Sequence, residues 1–296
     1  MITEQMLTEH FTGATGTHTL QAQSNESFFL RNIVSTPSGN DGFLTIAVDG
    51  VTIYNLRLVG YGGNHCPPNP NSTCKGIIPY LRDNGIDLGI PVGPGELLTL
   101  TTYAETQDLV AVLDRGTPDH FKNTDPNGSK SKVRTRIVYG VHDSALTAAG
   151  WPWINKSLSP GSLSAFPFGE NVPDGREMHI LGYCGCPVTE GDGSASDGYA
   201  DNVRAQRNGK WMHSEDGAGF QYYAAAITSD DTNYDITQSL CGPYTPNDPD
   251  LPYLFDEPIV CLPGDELRYE VQVIGAATAL AADIVSFDVI LREIRK

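Results

Sequence analysis

The seven histidines, His10, His18, His65, His120, His142, His179 and His213, contain no pair at i, i+2 or i, i+4. Those are the spacings that set two imidazoles on one face of a strand or helix, where a metal needs them. His65 beside Cys66 and Cys74 is the nearest approach to a ligand set and reads as a loop histidine. Cys184-Gly185-Cys186 is too short a spacing for a zinc knuckle. Gly191-Asp192-Gly193-Ser194 lacks the second glycine of a nucleophile elbow, and no glycine loop precedes a helix to cradle a phosphate. Carboxylates crowd the candidate loops at Glu190, Asp192, Asp197, Asp201, Glu215, Asp216, Asp230 and Asp231. A pair of carboxylates can hydrolyse a glycosidic bond, and Asp192 with Asp197, or Ser229 to Thr232, offers the oxygens of a weak calcium site. A chain of net charge −17 shows such pairs by number alone. The expectation is no catalytic residue, no cofactor-binding residue and no metal ligand. Trp151, Trp153 and Trp211 would stack on sugars if exposed; the favoured reading is packing between two domains.

The elements that must carry these residues are short. The 296 residues include 31 Gly and 20 Pro, which with the frequent Asn and Asp leave little room for long helices and point to an all-β chain. Nineteen Lys plus Arg against 36 Asp plus Glu exclude nucleic-acid binding as the main task, since that affinity rests on cations displacing counterions. The start, Met1 to Phe11, has neither a basic region nor an apolar run, so no secretory signal is expected, and no segment is long and apolar enough for a membrane-spanning helix. Six cysteines are too few for a disulfide scaffold; Cys66 and Cys74 could close a small loop, and free thiols in a cytoplasm are the plain reading. Glycosylation triplets occur at Asn25, Asn71, Asn127 and Asn155 and carry little weight without an export signal.

Self-comparison shows an internal repeat. Ile78-Pro79-Tyr80-Leu81-Arg82-Asp83 recurs as Leu251-Pro252-Tyr253-Leu254-Phe255-Asp256. Each is followed by a Pro-Gly-acidic turn, Pro94-Gly95-Glu96 or Pro263-Gly264-Asp265, that opens a strand. Upstream, Gly42-Phe43 matches Gly219-Phe220, and Thr52 to Leu56 matches Thr232 to Ile236. Asp49-Gly50 reads as a tight hairpin turn. Phe28 to Val34 and Met178 to Cys184 open the two halves, and Val133 to Val141 and Ile284 to Ile294 close them. Six to eight short strands per half must bury one face on a partner sheet, which predicts two β-sandwiches. The expected domains are an N-terminal helical segment at 1–19, with Ile2, Met6, Leu7, His10 and Phe11 at helical spacing; one sandwich at 20–142; an ordered linker at 143–175; and a second sandwich at 176–296.

Two tandem sandwiches with a short N-terminal helix and long loops make this chain resemble the double jelly-roll major capsid proteins of adenovirus and of tailless, membrane-containing bacteriophages. The resemblance runs from about Ser24 to Lys296 and lies in architecture and the repeat. It implies a double jelly roll, with Phe28 to Val34 and Met178 to Cys184 as the first strands of their rolls. It implies a structural, non-enzymatic subunit that forms homotrimeric, pseudo-hexagonal capsomers tiling an icosahedral shell. Its partners would be further copies, other capsid proteins and an internal membrane reached by the N-terminal helix; it would be made in the host cytoplasm and reside in the virion. Loops 117–132 and 190–214 would stand outermost. The alternatives are another virion component (decoration, penton or spike) and a glycan-binding or glycan-hydrolysing double sandwich.

Overall fold

The computed structural model describes residues 5–12, 16–37, 42–58, 81–103, 106–145, 150–157, 166–184, 199–212, 220–221, 253–274 and 286–296. They form an all-β, sandwich-like fold of antiparallel sheets. The chain divides into two compact units: unit 1 is Met1–Arg136 with Arg292–Arg295, and unit 2 is Ile137–Leu291 with Lys296.

Unit 1 holds β1 (Gln5–Thr12), β2 (Thr17–Gln21), β3 (Ser27–Pro37), β4 (Gly42–Val48), β5 (Val51–Leu58), β6 (Ile90–Val92), β7 (Leu97–Tyr103) and β8 (Thr106–Gly116). They pair as two four-stranded sheets, β1-β8-β3-β6 and β2-β7-β4-β5. Period-2 alternation sends Leu109, Ala111 and Leu113 of β8, Leu44, Ile46 and Val48 of β4, and Leu98 and Leu100 of β7 into the core. On β3 the buried set is Phe28, Leu30 and Ile33, because the pairing register shifts at Arg31 and moves the inward parity by one residue.

β9 (Val133–Val141) enters unit 2 at Ile137, and the unit continues with β10 (Trp153–Ile154), β11 (Lys156–Ser157), β12 (Arg176–Cys184), β13 (Tyr199–Arg207), β14 (Lys210–Trp211), β15 (Phe220–Gln221), β16 (Tyr253–Cys261), β17 (Leu267–Ile274) and β18 (Ser286–Arg295) as far as Leu291. The sheets are β11-β9-β18-β12-β16 and β10-β17-β13-β14, with β15 also pairing β13. Tyr183, Tyr269 and Phe287 form an aromatic triangle at the centre, with ring centroids 5.5, 5.0 and 4.8 Å apart. Each buried ring contributes about 2–3 kcal/mol by area.

Counted along the described residues, with two of unit 2's four two-residue strands, β11 and β15, set aside and β10 and β14 kept, both units have one strand order: 1-8-3-6 in one sheet and 2-7-4-5 in the other. The registers agree as well. Phe28 faces Val92 and Leu30 faces Ile90 in unit 1; Met178 faces Cys261 and Ile180 faces Ile259 in unit 2. The pairing of β3 with β8 shifts between Leu30 and Asn32, and that of β12 with β16 between Ile180 and Gly182. The Pro-Gly-acidic turns match atom for atom. The Gly95 N–H donates to Ala22 O at 3.0 Å and the Gly264 N–H to Val172 O at 2.9 Å. The Glu96 carboxylate accepts the Gly93 N–H at 2.6 Å, and the Asp265 carboxylate accepts the Leu262 N–H at 2.8 Å. The hairpins Asp49-Gly50 and Asn208-Gly209 both take positive φ at their two central residues, the twist-matched geometry of a two-residue loop. Their side chains accept the Leu97 and Glu266 N–H groups at 2.9 and 2.8 Å.

Several expectations need correction. Within the segment expected to be helical, the described residues Gln5–Thr12 are strand β1, with Leu7, Glu9 and Phe11 half-buried on one face. An isolated helix of about a dozen residues is marginal, whereas this segment gains a continuous ladder with β8. The unit border lies between Arg136 and Ile137, inside β9. The segment expected to close the first half, Val133–Val141, therefore joins the sheet of β12, β16 and β18; no turn residue marks that crossing. The expected linker 143–175 supplies β10, β11 and the buried Phe166, Phe168 and Val172 to the core of unit 2. Phe28 to Val34 and Met178 to Cys184 are equivalent, but as third strands. The counterpart of β4 is β13 rather than the segment from Gly219-Phe220; Thr232 to Ile236, Pro79-Tyr80 and Pro252 lie outside the described residues.

Candidate functional site

The outer face of the β10-β17-β13-β14 sheet gathers all three tryptophans. On β13 and β17, Val203, Ala205, Leu267, Tyr269 and Val271 point inward and are buried. The residues between them, Arg204, Gln206, Arg268 and Glu270, therefore face out. Register aligns Trp153, Glu270 and Arg204 in one row across three strands, and Arg268, Gln206 and Trp211 in the next. The Arg204 guanidinium lies 4.0 Å from the Trp151 ring centroid and 4.4 Å from that of Trp211, and its Nε donates to the Glu270 carboxylate at 2.5 Å. Arg268 stands 4.3 Å from the Trp153 centroid and donates to Glu266 at 2.5 Å. Trp153 is 43% exposed. The planar cation between two rings, neutralised by one carboxylate, is a clasp that fixes the segment before β10 to the sheet.

Acidic groups line the rim of the same sheet. Partial burial alone would raise the Asp265 carboxyl, but hydrogen bonds from Asn208, the Leu262 N–H and Arg207 outweigh it and hold the group below its ordinary value. On the other sheet of unit 2, a hydrogen bond from His179, followed by one from Lys296, lowers Glu177. Asp143 is lowered by the Asn155 amide and then by the Ser144 hydroxyl.

Unit 1 has its main polar cluster beneath the 117–132 segment. Glu96, 5% exposed, accepts the Gly93 N–H, the Ser129 hydroxyl at 2.6 Å and the Asn123 amide at 3.2 Å. Asn127, 1% exposed, donates to Asp87 O and Gly89 O and accepts the Thr135 N–H. The Ser27 hydroxyl donates to Thr117 O, and Phe121 stacks on Phe29 at 5.2 Å. The segment expected as an outermost loop is thus folded down and bonded to the sheet edge. Of the other such loop, 190–214, residues 199–207 are strand β13 and 210–211 strand β14; 190–198 and 213–214 lie outside the described residues.

The histidines are dispersed. His10 is on β1; His18 on β2 stacks on Phe11 at 4.9 Å; His120 packs on Phe121; His142 Nδ1 bonds Trp153 O; His179 meets Glu177. Among the described residues no group of three or more His, Cys, Asp or Glu is placed to hold a metal. Burial pushes the Cys261 thiol up to about 11, so it is an inert core thiol. His65, His213, Cys66, Cys74, Cys186, Cys241, Glu190, Asp192, Asp197, Glu215, Asp216, Asp230 and Asp231 lie outside the described residues, and so does Asn71. Of the remaining triplets, Asn25 and Asn155 are exposed, while Asn127 has its amide committed to two buried bonds and cannot carry a glycan. Sequence reasoning missed Arg204, Arg268 and Glu270, although the apolar-charged alternation of Val203 to Arg207 and Leu267 to Val271 would have placed them on an outer face.

No protein-family model matches the chain, and no curated protein matches it in sequence.

Proposed function

We propose that both units are jelly rolls and that the chain is a viral major capsid subunit, assembling as homotrimers of pseudo-hexagonal outline that tile an icosahedral shell. One observation carries the reading: the strand order 1-8-3-6 with 2-7-4-5 occurs twice in one chain with matched registers and matched turns. That order is the double Greek key of a jelly roll, an architecture shared by capsid and lectin domains. Two copies in tandem turn three subunits into six similar blocks, which is what hexagonal tiling requires. Partners on this reading are further copies and other capsid proteins, in a virion built from protein made in the host cytoplasm. The membrane contact expected of an N-terminal helix has no support, since Gln5–Thr12 is a strand. A glycan-binding protein is the second reading, favoured by Trp153; against it, each tryptophan already has a guanidinium over its ring.

Light scattering on the purified chain tests this. A particle of three times 32.0 kDa, or a shell, is expected. A monomer at every concentration overturns it.

A further inference from the structure

Sheet edges differ sharply in how well they are guarded against a further strand. β6 is three residues long and includes Pro91; β10, β11 and β14 have two residues each. β16 contains Pro258 and a shifted register, and β5 also pairs with a shift. β2 has five residues, also without Pro, Lys, Arg or a shifted register, and the longer β1 has none of these devices. Its eight residues pair one to one with β8 from Gln5 to Thr12, without a break and without Pro, Lys or Arg, and Met6 is 68% exposed. In unit 2 the equivalent strand, β9, has that edge partly covered, since β11 pairs Lys156 with Val141 and Ser157 with Gly140. Among the described residues no strand pairs with the second edge of β1. A long, flat, unguarded edge is a template for another chain.

We propose that β1 pairs edge to edge, antiparallel, with β1 of a second copy of this chain. Charge favours that occupant. Two chains of net charge −17 repel, so their contact must be nearly uncharged, and β1 carries a single carboxylate, Glu9. A two-fold antiparallel pair brings residues i and j opposite with a constant, even i + j, because opposite side chains share a face. Centring on Thr8 spans Gln5 to Phe11, sets Thr8 against Thr8 and Leu7 against Glu9, and keeps the two carboxylates on a diagonal. Centring on Glu9 would oppose them directly, which is destabilising; centring on Leu7 shortens the ladder. The contact is two-fold and stands apart from the three-fold trimer proposed above.

Mild oxidation of full-length Thr8→Cys and Gln5→Cys tests the register. Thr8→Cys is expected to yield mostly a disulfide-linked dimer of twice 32.0 kDa, because directly opposed Cβ atoms lie within about 4.5–5.5 Å. Gln5→Cys, facing Phe11, should stay at the wild-type background. Thr8→Lys should weaken the pairing at least about tenfold by placing two lysines face to face. A folded Thr8→Cys protein that links no more than wild type, or equal linking by Gln5→Cys, overturns the proposal. Amide exchange on the wild-type chain gives an independent reading: β1 protection that does not change on dilution also overturns it. A trimer without the Thr8 cross-link sinks this contact alone, whereas the cross-link without a trimer sinks the capsid reading alone.

Discussion

The β2-β7-β4-β5 sheet of unit 1 and the β10-β17-β13-β14 sheet of unit 2 are the same construction with opposite exteriors. Val48 faces Leu98 in one as Arg207 faces Leu267 in the other, so positions correspond residue by residue. The row Thr17, Thr101, Thr45 in unit 1 becomes Trp153, Glu270, Arg204 in unit 2, and Thr99 becomes Arg268. Most inward positions stay apolar in both, Leu98 answering to Leu267, Leu100 to Tyr269 and Ile46 to Ala205, while the buried Val48 answers to Arg207, which pairs with Asp265. The inner faces thus hold the fold, and the outer faces are free to diverge toward separate surroundings. Unit 1 shows a flat, uncharged threonine row, and unit 2 a clasped array of cations and rings.

The largest effects should fall on the shared interior. Phe287→Ala is expected to cost about 3–5 kcal/mol and Leu100→Ala about 2–5 kcal/mol in urea unfolding. An outer-face substitution of that size would break the comparison. The turn acids come next. Glu96→Ala strips three donors of a buried acceptor and should cost about 2–3 kcal/mol, against about 1 kcal/mol for the more exposed Asp265→Ala. Equal costs would mean that the 117–132 segment adds nothing to the Glu96 site.

On the outer faces, Arg204→Ala should lower stability by about 1–2 kcal/mol and change tryptophan fluorescence. Thr45→Ala, at the equivalent position, should stay within about 0.5 kcal/mol. Smallest is a pH effect in unit 2. Asp265, Glu177 and Asp143 are held below their ordinary values in the folded chain. The stability they contribute is therefore present above about pH 4.5 and lost as pH falls through the lower folded values. Asp265→Asn should flatten the acid limb of a melting-temperature profile.

Much of this was legible in the residues. Period-2 alternation announced the strands, and Pro94-Gly95-Glu96 and Pro263-Gly264-Asp265 announced the turns that tie both units. Local signals failed where tertiary pairing decides. Leu7 and Phe11 fit a helix as well as a strand, and only β8 selects between them. The border inside β9 has no Gly or Pro to mark it. Asn208-Gly209 carries the same hairpin signature as Asp49-Gly50, yet a false match at Gly219-Phe220 drew the repeat away from it. The tryptophan and arginine face needed the register of three strands distant in sequence before Arg204 could be set between Trp151 and Trp211.

Electron microscopy of the assembled chain in negative stain tests the central claim most directly. The proposed pair of jelly rolls per subunit and the proposed trimer predict class averages with six lobes in a near-hexagonal outline. Averages with three lobes, or with two-fold symmetry alone, would contradict it.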